Sequence, residues 1–307
     1  TRKGDELKVS DFLDKKDGTF VAGTTKTEKR NIADAVPSYD FENCIQCNLC
    51  SFVCPHAVIR PFLLDEKEYK NAPLEVQKRC TRPMEPNLKE YYYTIGISAL
   101  DCTGCGLCVK VCPGKGGNKA LNFKDVVDEY IKKEGRVSDY LFNEVTDKNV
   151  EIKTVKSSQF SSPKFEFSGA CAGCGETPYI KLLTQLFGKN MVIANATGCS
   201  SIYGGSMPST PYTVPWASSL FEDNAEYGFG MLMGYKVKQE KVKNIIENNM
   251  DNSNHKLFKK WLENYNDYEI TKEVYDNLDD NIPDELKELK EDLIKKASKP
   301  AEDAMKL

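Results

Sequence analysis

Cysteine is the residue type through which this chain can do chemistry. Twelve occur in 307 residues, and eight of them fall into two runs of one pattern. Cys44, Cys47, Cys50 and Cys54, followed by Pro55, have the spacing C-x2-C-x2-C-x3-C-P; Cys102, Cys105, Cys108 and Cys112, followed by Pro113, repeat it. Three thiolates on one tight loop can cover three iron corners of a [4Fe-4S] cubane, which leaves the fourth corner to a distant residue. In the two-cluster pattern the fourth Cys of each run ligates the other cluster. The spacing therefore assigns Cys44, Cys47, Cys50 and Cys112 to one cubane. Cys102, Cys105, Cys108 and Cys54 go to a second, side by side with the first. Four thiolates would also suit zinc, but two such runs with a trailing Pro favour iron–sulfur clusters.

Three further cysteines form a different constellation: the C-x2-C pair Cys171 and Cys174, and the single Cys199. Three thiolates are one short of a cubane, and on spacing alone they could also be a zinc remnant or buried thiols. Their setting favours a site. Cys174-Gly175-Glu176 follows a Gly-rich turn, and Gly198-Cys199-Ser200-Ser201 follows an apolar run, where α/β folds present ligand-binding loops. Glu176 also reads as an ordinary first-turn acid favoured by the helix dipole. Cys80 stands alone and reads as a buried thiol. The only histidines are His56 and His255, which excludes a His-based catalytic pair; His56 reads as a cover residue beside a cluster. Gly204 to Tyr212 lacks the Lys and the strand-to-helix context of a phosphate loop and reads as a substrate-facing loop.

The elements that must position these residues are legible in outline. Residues 1–36 are polar and rich in Gly, Thr and Lys, an extended lead-in arm with Gly18 and Gly23 breaking any periodicity. Residues 37–125 hold nine of the twelve cysteines and form a small loop-rich unit whose folding depends on its inorganic ligands. The long stretch between Cys54 and Cys102 predicts an insertion, Arg60 to about Tyr93, that covers the clusters. Residues 126–164 turn charged, partly helical at Val126, Val127, Tyr130 and Ile131, then Ser-rich, and read as a linker. Residues 165–307 open with the turn Ser168–Glu176, a helix over Pro178–Leu186 and a buried strand over Met191–Ala196, an α/β layer. After Met233, Leu257, Phe258, Trp261, Leu262 and Tyr265 share one helix face, and Leu286, Leu289 and Leu293 another.

Composition narrows the function classes. Lys+Arg 42 against Asp+Glu 46 gives a net charge of −4, with the basic residues scattered, so nucleic acid is excluded as a partner. No apolar run approaches the ~20 residues of a membrane-spanning helix. The charged stretch Thr1–Ser10 is not a secretory signal, so the cysteines are expected in a reducing compartment.

Several longer strings carry a resemblance. Asn43-Cys44-Ile45-Gln46-Cys47, Cys54-Pro55-His56-Ala57, Phe167 to Pro178, Ala194 to Gly205 and Leu220 to Met231 together resemble the pyruvate:ferredoxin (flavodoxin) oxidoreductases, from about Gly18 to Met231. The resemblance implies an α+β ferredoxin-like domain with two [4Fe-4S] clusters, followed by part of an α/β thiamine diphosphate-binding domain. It implies oxidative decarboxylation of pyruvate to acetyl-coenzyme A, with electrons passing singly through three [4Fe-4S] clusters to ferredoxin or flavodoxin. Cys171, Cys174 and Cys199 would hold the cluster nearest the thiamine, with a fourth Cys from outside this chain. Glu176 and Cys199 would be the catalytic residues, and Glu176, Gly198, Cys199, Ser200 and Ser201 would line the cofactor. The Gly-Asp-Gly segment that holds Mg2+ and the diphosphate is absent from the 307 residues, so the resemblance implies an internal piece of a homodimeric enzyme, inactive without its remaining domains. It also implies the cytoplasm or an anaerobic energy organelle. A stand-alone two-cluster electron carrier is the competing reading, and it has no use for Cys171, Cys174 and Cys199.

Overall fold

The computed structural model describes residues 4–16, 21–125, 128–148, 150–188, 191–206, 209–218 and 220–294. Gly18, Val126, Val127, Met207, Pro208 and residues 295–307 lie outside them. The chain divides into two compact units, Thr1–Ser218 and Ser219–Leu307.

In the first unit each half of the cysteine repeat is a loop, a short helix and a strand. β1 (Ala35–Tyr39) is followed by the first loop and α1 (Leu49–Phe52); β2 (Ile59–Leu64) follows. The stretch from Arg60 to Tyr93 returns as a hairpin with helices in its turn. It contains α2 (Glu66–Asn71) and α3 (Leu74–Gln77) before β3 (Tyr92–Ile97) pairs antiparallel with β2, Ile59 opposite Ile97 and Leu64 opposite Tyr92. The second loop and α4 (Leu107–Val111) lead to β4 (Leu121–Asp125), which pairs antiparallel with β1, Val36 opposite Lys124. Val36, Ile59, Leu63, Tyr93, Ile95, Ile97 and Leu121 make the core between the ribbons, with Cys54, Cys102 and Cys108 among them.

The charged stretch that follows is held by its apolar positions. Val137 and Leu141 of α5 (Asp128–Asn143) are fully buried against Leu64 and Val76. The Arg79 guanidinium donates to both Glu134 carboxylate oxygens, at 2.8 and 3.1 Å, with both side chains buried. α6 (Val155–Ser158) is capped by Thr154, whose hydroxyl accepts from the Ser157 N–H. Cys80 lies half-buried beside the same small core, and burial pushes its thiol up to about 12.

The rest of the first unit carries the later cysteines. α7 (Thr177–Phe187) has Pro178 in its first turn, where a missing N–H costs nothing. β5 (Ile193–Asn195) pairs in parallel with β6 (Trp216–Ser218), Ile193 opposite Trp216, with α8 (Cys199–Ser201) between them. A parallel pair with a helical crossover is the α/β signature. β5 is shorter than the run Met191–Ala196 and only half-buried, because among the described residues it pairs on one side only. Phe165, Tyr203, Tyr212 and Val214 form a separate aromatic core there, with the Tyr212 and Trp216 rings stacked.

The second unit is helical: α9 (Phe221–Glu247), α10 (His255–Asn264), α11 (Tyr268–Asn277) and α12 (Asp284–Glu288). The apolar faces read from the sequence meet one another. Phe258, Trp261, Leu286 and Leu293 are buried with Val242, Ile246 and Val274, and the Trp261 indole donates to the Leu293 carbonyl at 2.7 Å. No helix among the described residues is long and apolar enough to cross a membrane.

Candidate metal centres

The two cysteine loops bend identically. Gln46 and Asn48 in the first, and Gly104 and Gly106 in the second, all have positive φ, between 55° and 78°. These positions flank Cys47 and Cys105, and the left-handed turns wrap the backbone so that three thiols face inward. Gly104 and Gly106 adopt them without strain. Gln46 and Asn48 are stabilised by side-chain hydrogen bonds. The Gln46 amide donates to Thr81 and to the Arg82 carbonyl and accepts from the Met84 N–H. Asn48 donates to the Lys156 carbonyl and accepts from the Tyr93 hydroxyl.

Each loop opens on a cavity lined by four cysteines. Cys44, Cys47, Cys50 and Cys112 share a cavity with Tyr39 and Tyr93. Cys102, Cys105, Cys108 and Cys54 share another with His56 and Thr103. The eight cysteines thus divide with the fourth of each run exchanged. Among the described residues no three His, Cys, Asp or Glu side chains are grouped tightly enough to hold a single metal ion. The four thiols of each set instead line one shared pocket.

The donor set fits a thiolate-ligated cluster. The Gln46 N–H donates to Cys44 Sγ and the Gly104 N–H to Cys102 Sγ, each at 3.4 Å, contacts that stabilise negative sulfur. Among the described residues the buried Thr103 hydroxyl lining the second cavity has no hydrogen-bond partner, and the Tyr39 hydroxyl lining the first lies beside the Cys44 thiol. Burial pushes the Cys102 thiol up to about 12 and also raises Cys50 and Cys108. Such thiols stay protonated until a metal displaces the proton, which couples cluster binding to folding.

α7 reaches back to this region through a buried lysine. Lys181 is 1% exposed, and its ammonium donates to the carbonyls of Ser51, of Phe52 at 3.2 Å and of Cys54 at 3.3 Å. It therefore caps the end of α1 between Cys50 of one cavity and Cys54 of the other. Burial lowers its pKa to about 8. Lysine is almost never buried unless its charge is met, and no sequence motif marks Lys181 as such a residue.

The turn of Cys171 and Cys174 lies against the second cavity. The Cys174 N–H donates to the Cys171 carbonyl at 3.1 Å. A Cβ at Gly173 would lie 3.7 Å from the Cβ of Cys105. His56 is buried beside that cavity, and burial lowers its pKa. Its Nε2 lies 3.2 Å from the Cys171 carbonyl oxygen, and its Nδ1 lies 3.1 Å from the Ser168 carbonyl oxygen and 3.3 Å from the Ser168 hydroxyl. Cys171 is exposed and Cys174 half-buried; Cys199, also exposed, stands apart from their turn at the start of α8.

Gly198 is exposed and Ser200 half-buried. The Ser201 hydroxyl is buried and closes the α8 turn by donating to the Gly198 carbonyl at 2.8 Å. Glu176 is exposed at the N-terminus of α7. Burial and then the Glu176 carboxylate raise the Tyr203 hydroxyl's pKa. Among the described residues two buried polar atoms in this part of the unit, Thr177 Oγ1 and Trp216 Nε1, have no hydrogen-bond partner. The sequence singled out Glu176; Thr177 and Tyr203 lie within the strings Phe167 to Pro178 and Ala194 to Gly205 without a role of their own, and Trp216 lies in none of them. The Trp216 ring covers Gly204 and Gly205, where a Cβ at Gly205 would come within 2.2 Å of it; the paired glycines were the available signal.

Comparison with known proteins follows the same lines. Residues 43–116 match a 4Fe-4S dicluster domain, and residues 1–33 match EKR, a domain of unknown function. The chain is 51% identical over 255 residues, 80% of its length, to a pyruvate dehydrogenase (NADP+) of Cryptosporidium parvum, of which it covers 13%. It is 45% identical to a pyruvate-flavodoxin oxidoreductase of Klebsiella pneumoniae, matching 91% of this chain and 24% of that protein. It is 46% identical to the pyruvate:ferredoxin oxidoreductase of Moorella thermoacetica, matching 92% of this chain and 25% of that protein. The chain therefore spans a quarter or less of the length of these relatives.

Proposed function

The chain is homologous, over 91–92% of its length, to one stretch of the pyruvate:ferredoxin/flavodoxin oxidoreductases, and from that premise we propose that it is the cluster-bearing part of an enzyme that oxidises pyruvate to acetyl-coenzyme A. Residues 37–125 carry two [4Fe-4S] clusters, and residues 165–307 contribute to a thiamine diphosphate-binding domain completed elsewhere. The observation that carries this reading is the division of eight cysteines between two cavities, with the Cys171–Cys174 turn packed against Cys105. A two-cluster carrier would need the cavities but not the turn.

When bound, thiamine diphosphate supplies the electron sink for decarboxylation, and cubanes accept the resulting electrons one at a time. This chain's residues arrange that transfer. Cys171, Cys174 and Cys199 hold a third cluster with a ligand from outside the chain. Glu176, Gly198, Cys199, Ser200 and Ser201 would line the cofactor. His56 and Gly173 keep the turn in contact with the Cys105 loop, so a cluster held by the turn would adjoin the second cavity. A reducing compartment, the cytoplasm or an anaerobic organelle, suits partly exposed thiolates of this kind.

The test is anaerobic. The complete natural polypeptide bearing this sequence is purified, its denatured mass and iron content are measured, and cluster reduction is followed after addition of pyruvate and coenzyme A. Rapid bleaching of the iron–sulfur absorbance, dependent on both substrates, is expected. Reduction by dithionite but not by pyruvate would return the protein to the electron carriers.

A further inference from the structure

The lead-in arm has no core of its own, yet it is stitched across the first unit. The Gly23 N–H donates to the Tyr212 carbonyl at 2.7 Å and the Thr25 N–H to that of Thr210. The Thr25 hydroxyl, fully buried, donates to the Glu166 carbonyl at 2.8 Å. Lys26 pairs with the buried Glu166 carboxylate at 2.9 Å, which Arg60 meets from the other side. These contacts lead into Glu28-Lys29-Arg30, three consecutive residues that each reach a different segment.

Glu28 accepts from the Ser209 hydroxyl at 2.5 Å and from Arg30 at 2.7 Å. The Lys29 ammonium donates to Asp101 at 2.5 Å and lies over the Phe167 ring. Asp101, also held by the Ser98 hydroxyl, immediately precedes Cys102. The Arg30 guanidinium donates to the carbonyls of Phe167 at 3.2 Å and Ser168 at 3.1 Å. Those carbonyls start the turn that carries Cys171 and Cys174. One tripeptide thus touches the loop of the second cavity, the cysteine turn beside it, and the aromatic segment ending at Tyr212.

We propose that Glu28-Lys29-Arg30 is a three-armed staple that sets the separation between the Cys102–Cys108 loop and the Cys171–Cys174 turn, and so the spacing of the clusters they hold. The proposal gives a positioning role to the matched domain of unknown function and rests on the cluster assignment above. Its physical basis is that charge-assisted hydrogen bonds are short and roughly twice as strong as neutral ones. Three of them here join elements that also meet through the buried Phe167 ring, which shares a core with Cys102 and Cys108, and through His56 and Gly173. No group in the staple is a ligand, so it acts through the loops it holds.

The experiment uses the complete holoenzyme with Arg30→Met, Lys29→Met and Arg30→Lys. Hydrogen exchange is followed over the peptides spanning 98–103 and 164–175, and electron paramagnetic resonance reads the magnetic interaction between clusters. Arg30→Met is expected to speed exchange at Phe167 to Cys174 by about tenfold or more, the loss of one charged hydrogen bond. The interaction involving the Cys171-side cluster should weaken or change shape, while that between the two ferredoxin-type clusters persists. Lys29→Met should act on residues 98–103 in the same way. Arg30→Lys, whose ammonium can still donate to both carbonyls, should restore most of the interaction. Unchanged exchange in both methionine variants overturns the staple. Faster exchange with an unaltered magnetic interaction also overturns it, since a merely structural contact would behave that way. If Cys171→Ala leaves the iron content unchanged, the third cluster is wrong, and the exchange result alone then decides whether the tripeptide holds the turn.

Discussion

Cys54 belongs in sequence with Cys50 and in space with Cys102. It is buried, and it lines the cavity of Cys102, Cys105 and Cys108 rather than that of its own run. Cys54→Ala in the complete protein is therefore expected to remove or convert the cluster of the second cavity. The cluster at Cys44, Cys47, Cys50 and Cys112 should keep its spectrum, as read by iron content and paramagnetic resonance. Loss of the Cys44 cluster instead would overturn the exchange of ligands. At this scale the cysteines were legible because a metal dictates the spacing of its ligands along the chain. Lys181 and Thr103 were not, because a hydrogen bond to a distant carbonyl or an orphaned hydroxyl leaves no local pattern. Gln46 and Asn48 show the difference: only alignment against Gly104 and Gly106 reveals that they too occupy left-handed backbone.

At the scale of elements, the helices that follow the cysteine repeat depend on buried polar links as much as on apolar faces. The Arg79–Glu134 pair joins the end of α3 to α5 with both side chains buried. Arg79→Met leaves the Glu134 carboxylate buried and uncompensated, and a loss of about 3–5 kcal/mol is expected in denaturant unfolding. Loss of under about 1 kcal/mol would mean that water reaches Glu134 freely. In the helical unit, Asn254 at the start of α10 donates to Asp279 at 2.6 Å and accepts from the Asp279 N–H. These bonds, with one from Ser253, hold the Asp279 carboxyl below its usual range. The unfolded chain therefore binds more protons at mildly acid pH, so the contribution is present above the unfolded pKa and is lost as pH falls through the folded one. Hydrogen exchange at the α10 N-terminus should quicken below about pH 4, near the ordinary aspartate value. Asp279→Asn should flatten that dependence. Helix faces such as Phe258, Trp261 and Tyr265 were visible from their spacing, whereas the loop contacts that fix helix ends came only from the fold. The stretch 126–164 reads as a linker because its charge hides two positions, Val137 and Leu141, that are fully buried.

For the whole molecule, the order of the clusters is the property that follows from packing. The Cys171–Cys174 turn meets Cys105 through Gly173 and meets the second cavity through His56. The first cavity is instead enclosed by Tyr39 and by Tyr93 of the long hairpin. Sequence spacing implied two adjacent clusters but gave no direction, because the turn and the two loops are far apart along the chain and meet only through tertiary contacts. On the proposed function, electrons enter at the Cys105 side and leave from the Cys47 side. Cys105→Ala should then slow pyruvate-driven reduction of the Cys44-side cluster by more than tenfold, about 1.4 kcal/mol of added barrier. Cys47→Ala should leave reduction of the Cys105-side cluster at its original rate and impair only delivery to ferredoxin. Rapid-freeze paramagnetic resonance resolves the two sites in time. If Cys47→Ala proved the variant that stopped pyruvate-driven reduction of its neighbour, electrons would be entering through the first cavity. The turn at Cys171 would then be a packing element rather than the entry point.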